Sequence, residues 1–162
     1  MGTRCGAIDV SIIEYLMERH NMSIEEVMEV LNKKSGVLGV SGVSSDFRDL
    51  EKAAAEGNQR AKLAIDMFCY KVHKRIGSAA AAMNGIDVLI FTAGVGEYSP
   101  ELRERIATGL DYMGIKIDHN KNQVRGEECI ISADDSRVRI MVIPTNEELV
   151  IAQDTARLVA GK

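Results

Sequence analysis

The sequence predicts an α/β fold with a mixed or partly parallel sheet, and three observations predict it. Two apolar runs of strand length, Ile86–Thr92 (IDVLIFT) and Val138–Ile143 (VRIMVI), lie in the second half of the chain. Each is followed by a loop and a helix start. The first half carries helical periodicity instead, so helices dominate there and strand–helix units follow. Crevices beyond the carboxyl ends of strands are the usual ligand sites of open α/β sheets, which directs attention to the residues just after these two runs.

The elements follow in order. Gly2–Gly6 is a loop. Asp9 caps a helix through Ile12, Ile13, Leu16 and Met17, spaced near 3.6 residues. Ser23 and Glu26 have capping-box spacing before a second helix that ends near Lys33-Lys34. Ser35–Ser44, with Gly36, Gly39 and Gly42, predicts a compact loop or short irregular strand. Ser45 or Asp46 caps the next helix, which Gly57 stops. Asn58 caps a long helix to about Asn84, whose small residues Ser78–Ala82 allow close approach of a neighbour. Ile86–Thr92 is apolar on both faces and predicts a central strand. The glycine turn Ala93–Glu97 follows it, and Ser99-Pro100-Glu101 opens a helix predicted to end near Gly114. Ile115–Ile117 and Glu128–Ser132 are shorter candidate strands around a polar turn, 118–126. After Val138–Ile143, Pro144 ends the strand, Thr145 and Glu148 have capping-box spacing, and an amphipathic helix runs from Glu147 to about Val159.

Composition narrows the function. The 162 residues suffice for one ordinary domain, and at 46% hydrophobic the chain is globular. A net charge of -4 leaves no basic excess for a nucleic-acid or membrane-surface binder, and 4% aromatics are too few for stacking platforms. No apolar run is long enough to span a bilayer, and Met-Gly-Thr-Arg is not a signal peptide. Cys5, Cys69 and Cys129 form no CxxC pair, which argues against zinc or disulfides and for a reducing cytoplasm.

Four features could carry chemistry, each with a bland reading beside the functional one. Gly94 and Gly96 let the backbone adopt positive φ and approach a phosphate at the start of the following helix; they equally suit a structural tight turn. The turn is neither a Walker loop nor a full dinucleotide fingerprint. Arg4, bordered by Gly2 and Gly6, is either a bidentate anion clamp or a surface arginine near a frayed end. Asp46-Phe47-Arg48 is either a ribose or base contact, or an N-cap, a core aromatic and a solvated charge. Glu147 is either a magnesium ligand or a first-turn acid of its helix. His20, His73 and His119 have no metal-like spacing, and the charged runs of 46–57 and 99–112 are read as solvated faces.

Taken together, MGTRCG at 1–6, KSGVLGVSG at 34–42, SDFR at 45–48, FTAGVGE at 91–97 and IPTNEE at 143–148 resemble the acetate kinase family. The resemblance spans essentially the whole chain and matches only the C-terminal part of that family. It implies an actin-like, ribonuclease-H-like two-domain kinase in which 1–162 is the C-terminal nucleotide-binding domain. The helix 147–160 would then pack on the N-terminal domain. It implies transfer of the ATP γ-phosphoryl group to acetate with Mg2+, giving acetyl phosphate and ADP reversibly, in a homodimer. By the same resemblance Arg4 stabilises the transferring phosphoryl group, and Asp46, Phe47 and Arg48 bind ATP. Gly94, Val95, Gly96, Glu97 and Tyr98 form the adenosine turn, and Glu147 binds Mg2+. Tyr98 stands where the family usually has asparagine, and Ala7 and Val10 replace the usual aspartate and proline. The remaining catalytic groups and the acetate pocket belong to the family's N-terminal half, so the chain is expected to be inactive alone. A non-catalytic dimerisation module and a propionate or butyrate kinase are the alternatives.

Overall fold

The computed structural model describes residues 1–161, which divide into two compact units, Met1–Lys74 and the remainder from Arg75. The first is helical: α1 (Ser11–His20), α2 (Ile24–Lys33), α3 (Gly36–Ser41), α4 (Phe47–Ala55) and the first part of α5 (Gln59–Ala82). Capping residues set most of these boundaries. Asp9 accepts hydrogen bonds from the Ser11 amide (2.9 Å) and hydroxyl (2.5 Å) just before α1, but Val10 and not Asp9 occupies the N-cap position, without a side-chain cap bond. The Ser23/Glu26 capping box forms in full, Asp46 caps α4, and Asn58 accepts the amides of Arg60 and Ala61. Val27, Leu31, Val37, Leu50, Ala61, Ala64, Ile65 and Cys69 are the buried apolar side chains of this unit.

The glycine-rich segment 35–44 is not a loop or strand but contains the short helix α3. Its first turn is completed by residues 1–2: the amides of Val37 and Leu38 donate to the carbonyls of Met1 and Gly2, each at 3.0 Å. Gly36 makes this possible. It has φ +62°, and a Cβ there would lie 2.5 Å from the Met1 carbonyl oxygen. Arg60 closes the other end, donating to the carbonyls of Val40 (2.8 Å) and Gly39 (3.2 Å).

The second unit holds a three-stranded sheet of β1 (Val88–Phe91), β2 (Cys129–Ile130) and β3 (Arg139–Val142), in the order β1-β3-β2. β1 and β3 are parallel, with Leu89 opposite Ile140, and β2 and β3 are antiparallel, with Ile130 opposite Met141. The mixed α/β sheet expected from the sequence is therefore present. Two strand expectations change. β3, not β1, is central, and β1 leaves Val88 and Ile90 about half exposed on one face. An apolar run on both faces predicts burial on both, but within the described residues only one face is covered. Ile115 and Ile117 form isolated bridges to Val138 and Ser132 rather than a strand.

The helices are α6 (Ala93–Tyr98), α7 (Pro100–Ala107) and α8 (Glu147–Ala160). α7 starts as predicted, with Ser99 capping and Pro100 in the first turn, but it stops at Ala107 rather than near Gly114. Thr108 has left helical geometry, and a 3-10 turn, Asp111–Met113, follows. Among the described residues no helix is long and apolar enough to cross a membrane.

Candidate functional site

The first unit gathers three of the motifs. The segment Met1–Cys5 is tied down along its length: Cys5 donates its amide to Leu31, and the Ser35 amide donates to Thr3, both at 2.8 Å. The Thr3 hydroxyl adds a bond to the Asn32 carbonyl at 3.0 Å. Arg4 thus projects, exposed, from backbone anchored on both sides, and not from a frayed end. Gly2 also approaches the next motif; a Cβ on it would lie 3.5 Å from Cβ of Ser45.

At that motif Asp46 has two roles. Its carboxylate accepts the Arg48 amide at 2.9 Å, as an N-cap, and takes Nε and a terminal nitrogen of the Arg48 guanidinium at 2.5–3.2 Å. The Arg48 side chain, through these bonds, holds the Asp46 pKa down at about 2. Phe47 packs against Phe68, ring centroids 4.5 Å apart and tilted by 58°. The structure thus supplies a cap, an aromatic contact and an exposed guanidinium restrained by its own cap residue.

The second unit holds the glycine element and Glu147. Ala93–Tyr98 is not an open turn but the six-residue helix α6. Positive φ falls not on Gly94 or Gly96 but on Ala93, at 58°. Gly96 serves close approach, because a Cβ there would sit 3.1 Å from the Phe91 carbonyl carbon, whereas Gly94 faces open space. Tyr98 is exposed, lies over Gly126, and its carbonyl accepts a hydrogen bond from Arg125.

Glu97 is buried, 5% exposed. Its carboxylate accepts the Thr145 amide at 2.9 Å and the Thr145 hydroxyl at 3.0 Å. The Thr145 amide bond is the main cause of a pKa below the ordinary value, helped by the hydroxyl and the Ala93 amide against the opposing effect of burial. Thr145 is therefore not the cap of α8. Asn146 is, accepting the Leu149 amide at 3.0 Å, so the Thr145/Glu148 capping box does not form. Glu147 follows in the first turn of α8 with its carboxylate exposed.

Arg103 is the residue that the sequence misplaces. It belongs to a run read as a solvated face, yet it is 0% exposed. Its guanidinium donates to the carbonyls of Gly96 (2.8 Å) and Glu97 (3.0 Å), to those of Asn122 (2.6 Å) and Val124 (2.7 Å), and to Oδ1 of Asn122 (2.8 Å). Burial lowers its pKa to about 10, so it is still charged at neutral pH. The signal is in the spacing: position 103 lies on the same helical stripe as Leu102, Ile106 and Ala107.

A groove of about 510 Å³ lined by Asp87, Val88, Lys121, Arg137 and Arg139 lies at the start of β1 and β3, the opposite end of the sheet from α6. Ligand sites of open α/β sheets lie beyond the carboxyl ends of the strands, where α6 and Thr145–Glu147 are.

The model of the acetokinase family matches residues 1–153. The chain belongs to the acetokinase family. It is 62% identical over 160 residues to the acetate kinase of Thermoanaerobacterium thermosaccharolyticum, covering 98% of this chain and 40% of that protein. To the acetate kinase of Methanosarcina thermophila it is 56% identical over 159 residues, covering 98% and 39%. Among solved structures, Porphyromonas gingivalis acetate kinase superposes with a TM-score of 0.92 at 48% identity, covering 98% of this chain and 40% of that one. A propionate kinase from Francisella tularensis superposes with a TM-score of 0.86 at 43% identity, covering 94% and 39%. The chain thus spans about 40% of the length of its acetokinase relatives. The actin-like α/β architecture expected from the sequence agrees with these superpositions.

Proposed function

We propose that this chain is the C-terminal nucleotide-binding part of an acetate kinase, which transfers the γ-phosphoryl group of ATP to acetate and yields acetyl phosphate and ADP. The observation that carries the reading is the family match over residues 1–153. The local geometry supports it. Phosphoryl transfer asks a protein mainly for positioning and cationic charge. Arg4 offers an exposed guanidinium on an anchored backbone, suited to the charge on a transferring phosphoryl group. Asp46, Phe47 and Arg48 are the ATP contacts of the first unit, and Gly94–Tyr98 is the adenosine-side element of the second.

Glu147 is the proposed Mg2+ ligand. Among the described residues no three His, Cys, Asp or Glu side chains cluster as a metal cage. A single exposed carboxylate is still a fitting donor, because Mg2+ keeps several waters and takes few protein oxygens. When bound, Mg2+ would neutralise charge on the nucleotide phosphates. We further read the whole enzyme as a cytoplasmic homodimer. The three cysteines form no CxxC pair, which favours a reducing compartment, and the small residues Ser78–Ala82 of α5 favour close packing of a second copy, while the exposed apolar side chains of α8 (Leu149, Val150, Ile151 and Leu158) are the face that would pack on the N-terminal domain.

The test is steady-state phosphoryl transfer by the full-length protein with ATP, Mg2+ and acetate, alongside an Arg4→Ala variant. The variant is expected to lose chiefly kcat, by about 100-fold or more, with KM little changed. An unchanged rate removes the role of Arg4, and absence of acetate-dependent transfer by the wild type removes the reading. Propionate as competing acceptor decides the alternative that the solved propionate kinase raises.

A further inference from the structure

The Glu97 side chain is buried, and its carboxylate is bonded to Thr145, a residue at the surface. The carboxylate accepts hydrogen bonds from the Thr145 amide and hydroxyl, and the Ala93 amide adds to the lowering of its pKa. Such bonds to an ionised acceptor are among the stronger ones a protein makes. They join two elements far apart in sequence. One is α6, the glycine element. The other is the connection from β3 to α8, and the position of Thr145 in it is decisive. The Ile143 amide makes the last sheet bond, to Phe91 at 2.9 Å, and Pro144 has no amide to give. Asn146 then caps α8, and Glu147 is its first residue. The direction in which the chain leaves the sheet toward Glu147 is therefore set at Thr145, and Glu97 holds Thr145.

We infer that Glu97 is a positioning residue, a clasp whose carboxylate locks the glycine element to the start of α8 and so fixes the carboxylate of Glu147 relative to the nucleotide turn, while only the backbone of Glu97 belongs to the face that meets the nucleotide. This rests on the function proposed above. It also explains why the residue is glutamate. Glutamine keeps the length but is neutral, so the bonds from the Thr145 amide and hydroxyl, which both end on one oxygen of Glu97, lose their charge assistance.

The experiment uses the full-length enzyme and four variants: Glu97→Gln, Thr145→Val, Thr145→Ser, and the double Glu97→Gln/Thr145→Val. Each is assayed against Mg2+, ATP and acetate separately, and its affinity for ADP with Mg2+ is measured directly by calorimetric titration. Loss of a residue that orients a metal ligand costs about 10–100-fold in metal affinity or activity. Glu97→Gln is accordingly expected to raise the half-saturating Mg2+ concentration and the ATP KM about tenfold or more, with the acetate KM within about twofold of wild type. Thr145→Ser keeps both donors and retains wild-type values. Thr145→Val loses one donor and shifts the Mg2+ dependence about threefold, in the same direction as Glu97→Gln. The double variant matches Glu97→Gln, because a broken clasp cannot be broken twice.

Unchanged Mg2+ and ATP dependence in Glu97→Gln overturns the inference, as do effects that multiply in the double variant. Should Glu97→Gln fail to fold by thermal melting, Thr145→Val decides alone, and an unchanged Mg2+ dependence in it is the overturning result. A wild-type enzyme without acetate or propionate phosphorylation defeats the functional reading and this role with it. An active wild type with indifferent variants defeats only the clasp.

Discussion

The guanidinium of Arg103 donates from Nε to Oδ1 of Asn122 at 2.8 Å, and neither side chain reaches solvent. Asn122 in turn donates its side-chain amide to the Pro100 carbonyl at 2.8 Å. The pair stitches the polar segment after the Asp111–Met113 turn to both α6 and α7. No carboxylate appears among the hydrogen-bond partners of Arg103; its partners are carbonyl oxygens. Replacing Arg103 by Met removes the donor from four backbone carbonyls at once. Each buried acceptor left without a donor costs about 1–3 kcal/mol, so the loss across these carbonyls amounts to several kcal/mol. The unfolding midpoint should fall by about 10 °C or more, read by calorimetry. Lysine should restore little of it, since one ammonium cannot reproduce the planar fork that reaches Asn122, Gly96 and Val124 together.

Gly36→Ala tests the anchoring of the Arg4 segment. The added methyl would meet the Met1 and Gly2 carbonyl oxygens at 2.5 and 2.7 Å, from a backbone already at φ +62°. A left-handed L-residue alone costs about 1–2 kcal/mol, and the collision adds to it. The expected response is release of Met1–Gly2 from α3, seen as faster hydrogen exchange at the Val37 and Leu38 amides. In the full-length enzyme kcat should fall with it, because Arg4 loses its fixed support. Slow exchange at both amides in the variant would show that the segment tolerates the methyl.

Asp46 gives a pH prediction. Its pKa is about 2, below the ordinary 3.8, through its bonds to Arg48. A depressed carboxyl stabilises the fold fully above its unfolded value, and that contribution fades as pH falls from about 4 through about 2. Carboxyl NMR titration should place the Asp46 midpoint near 2, and Arg48→Met should return it toward 3.8. Equal midpoints in the two proteins would mean that the N-cap bond to the Arg48 amide, and not the guanidinium, sets the value.

Helix starts were legible because they rest on local chemistry: Ser23 with Glu26, Asp46, Asn58 and Ser99 all cap the helices they were expected to cap. What escaped were features set by residues far apart in sequence. α3 exists because Met1 and Gly2 complete its first turn, which no window around 35–44 can show. Thr145 has the capping-box spacing, yet it is bonded to Glu97, 48 residues away, and Asn146 takes the cap. The sequence locates the glycine element but points to its glycines as the strained residues, because glycine is the usual occupant of positive φ, whereas Ala93 carries it. Of the candidate site residues, the backbone settings of Asp46 and Glu147 follow the local pattern, while the anchoring of Arg4 comes from Leu31, Asn32 and Ser35 and the inward carboxylate of Glu97 has no sequence signal at all.

Ala93 supplies the last prediction. It sits at φ 58°, immediately after β1 and at the start of α6. An L-residue there carries about 1–2 kcal/mol of strain. Ala93→Gly relieves that strain and gives back about 0.4–1 kcal/mol through the freer unfolded chain. The net gain is at most about 1.5 kcal/mol, so the unfolding midpoint should rise by a few degrees, about 2–4 °C per kcal/mol. Strain retained beside a binding element is useful only if it fixes the element's geometry. The glycine variant should therefore bind ATP more weakly while being more stable, and the two effects are measured on the same full-length protein by calorimetry and by titration with ATP and Mg2+. A higher midpoint with unchanged ATP affinity would make the strain incidental to the site. A lower midpoint would mean that contacts of the Ala93 methyl outweigh its backbone strain and hold the start of α6 in place.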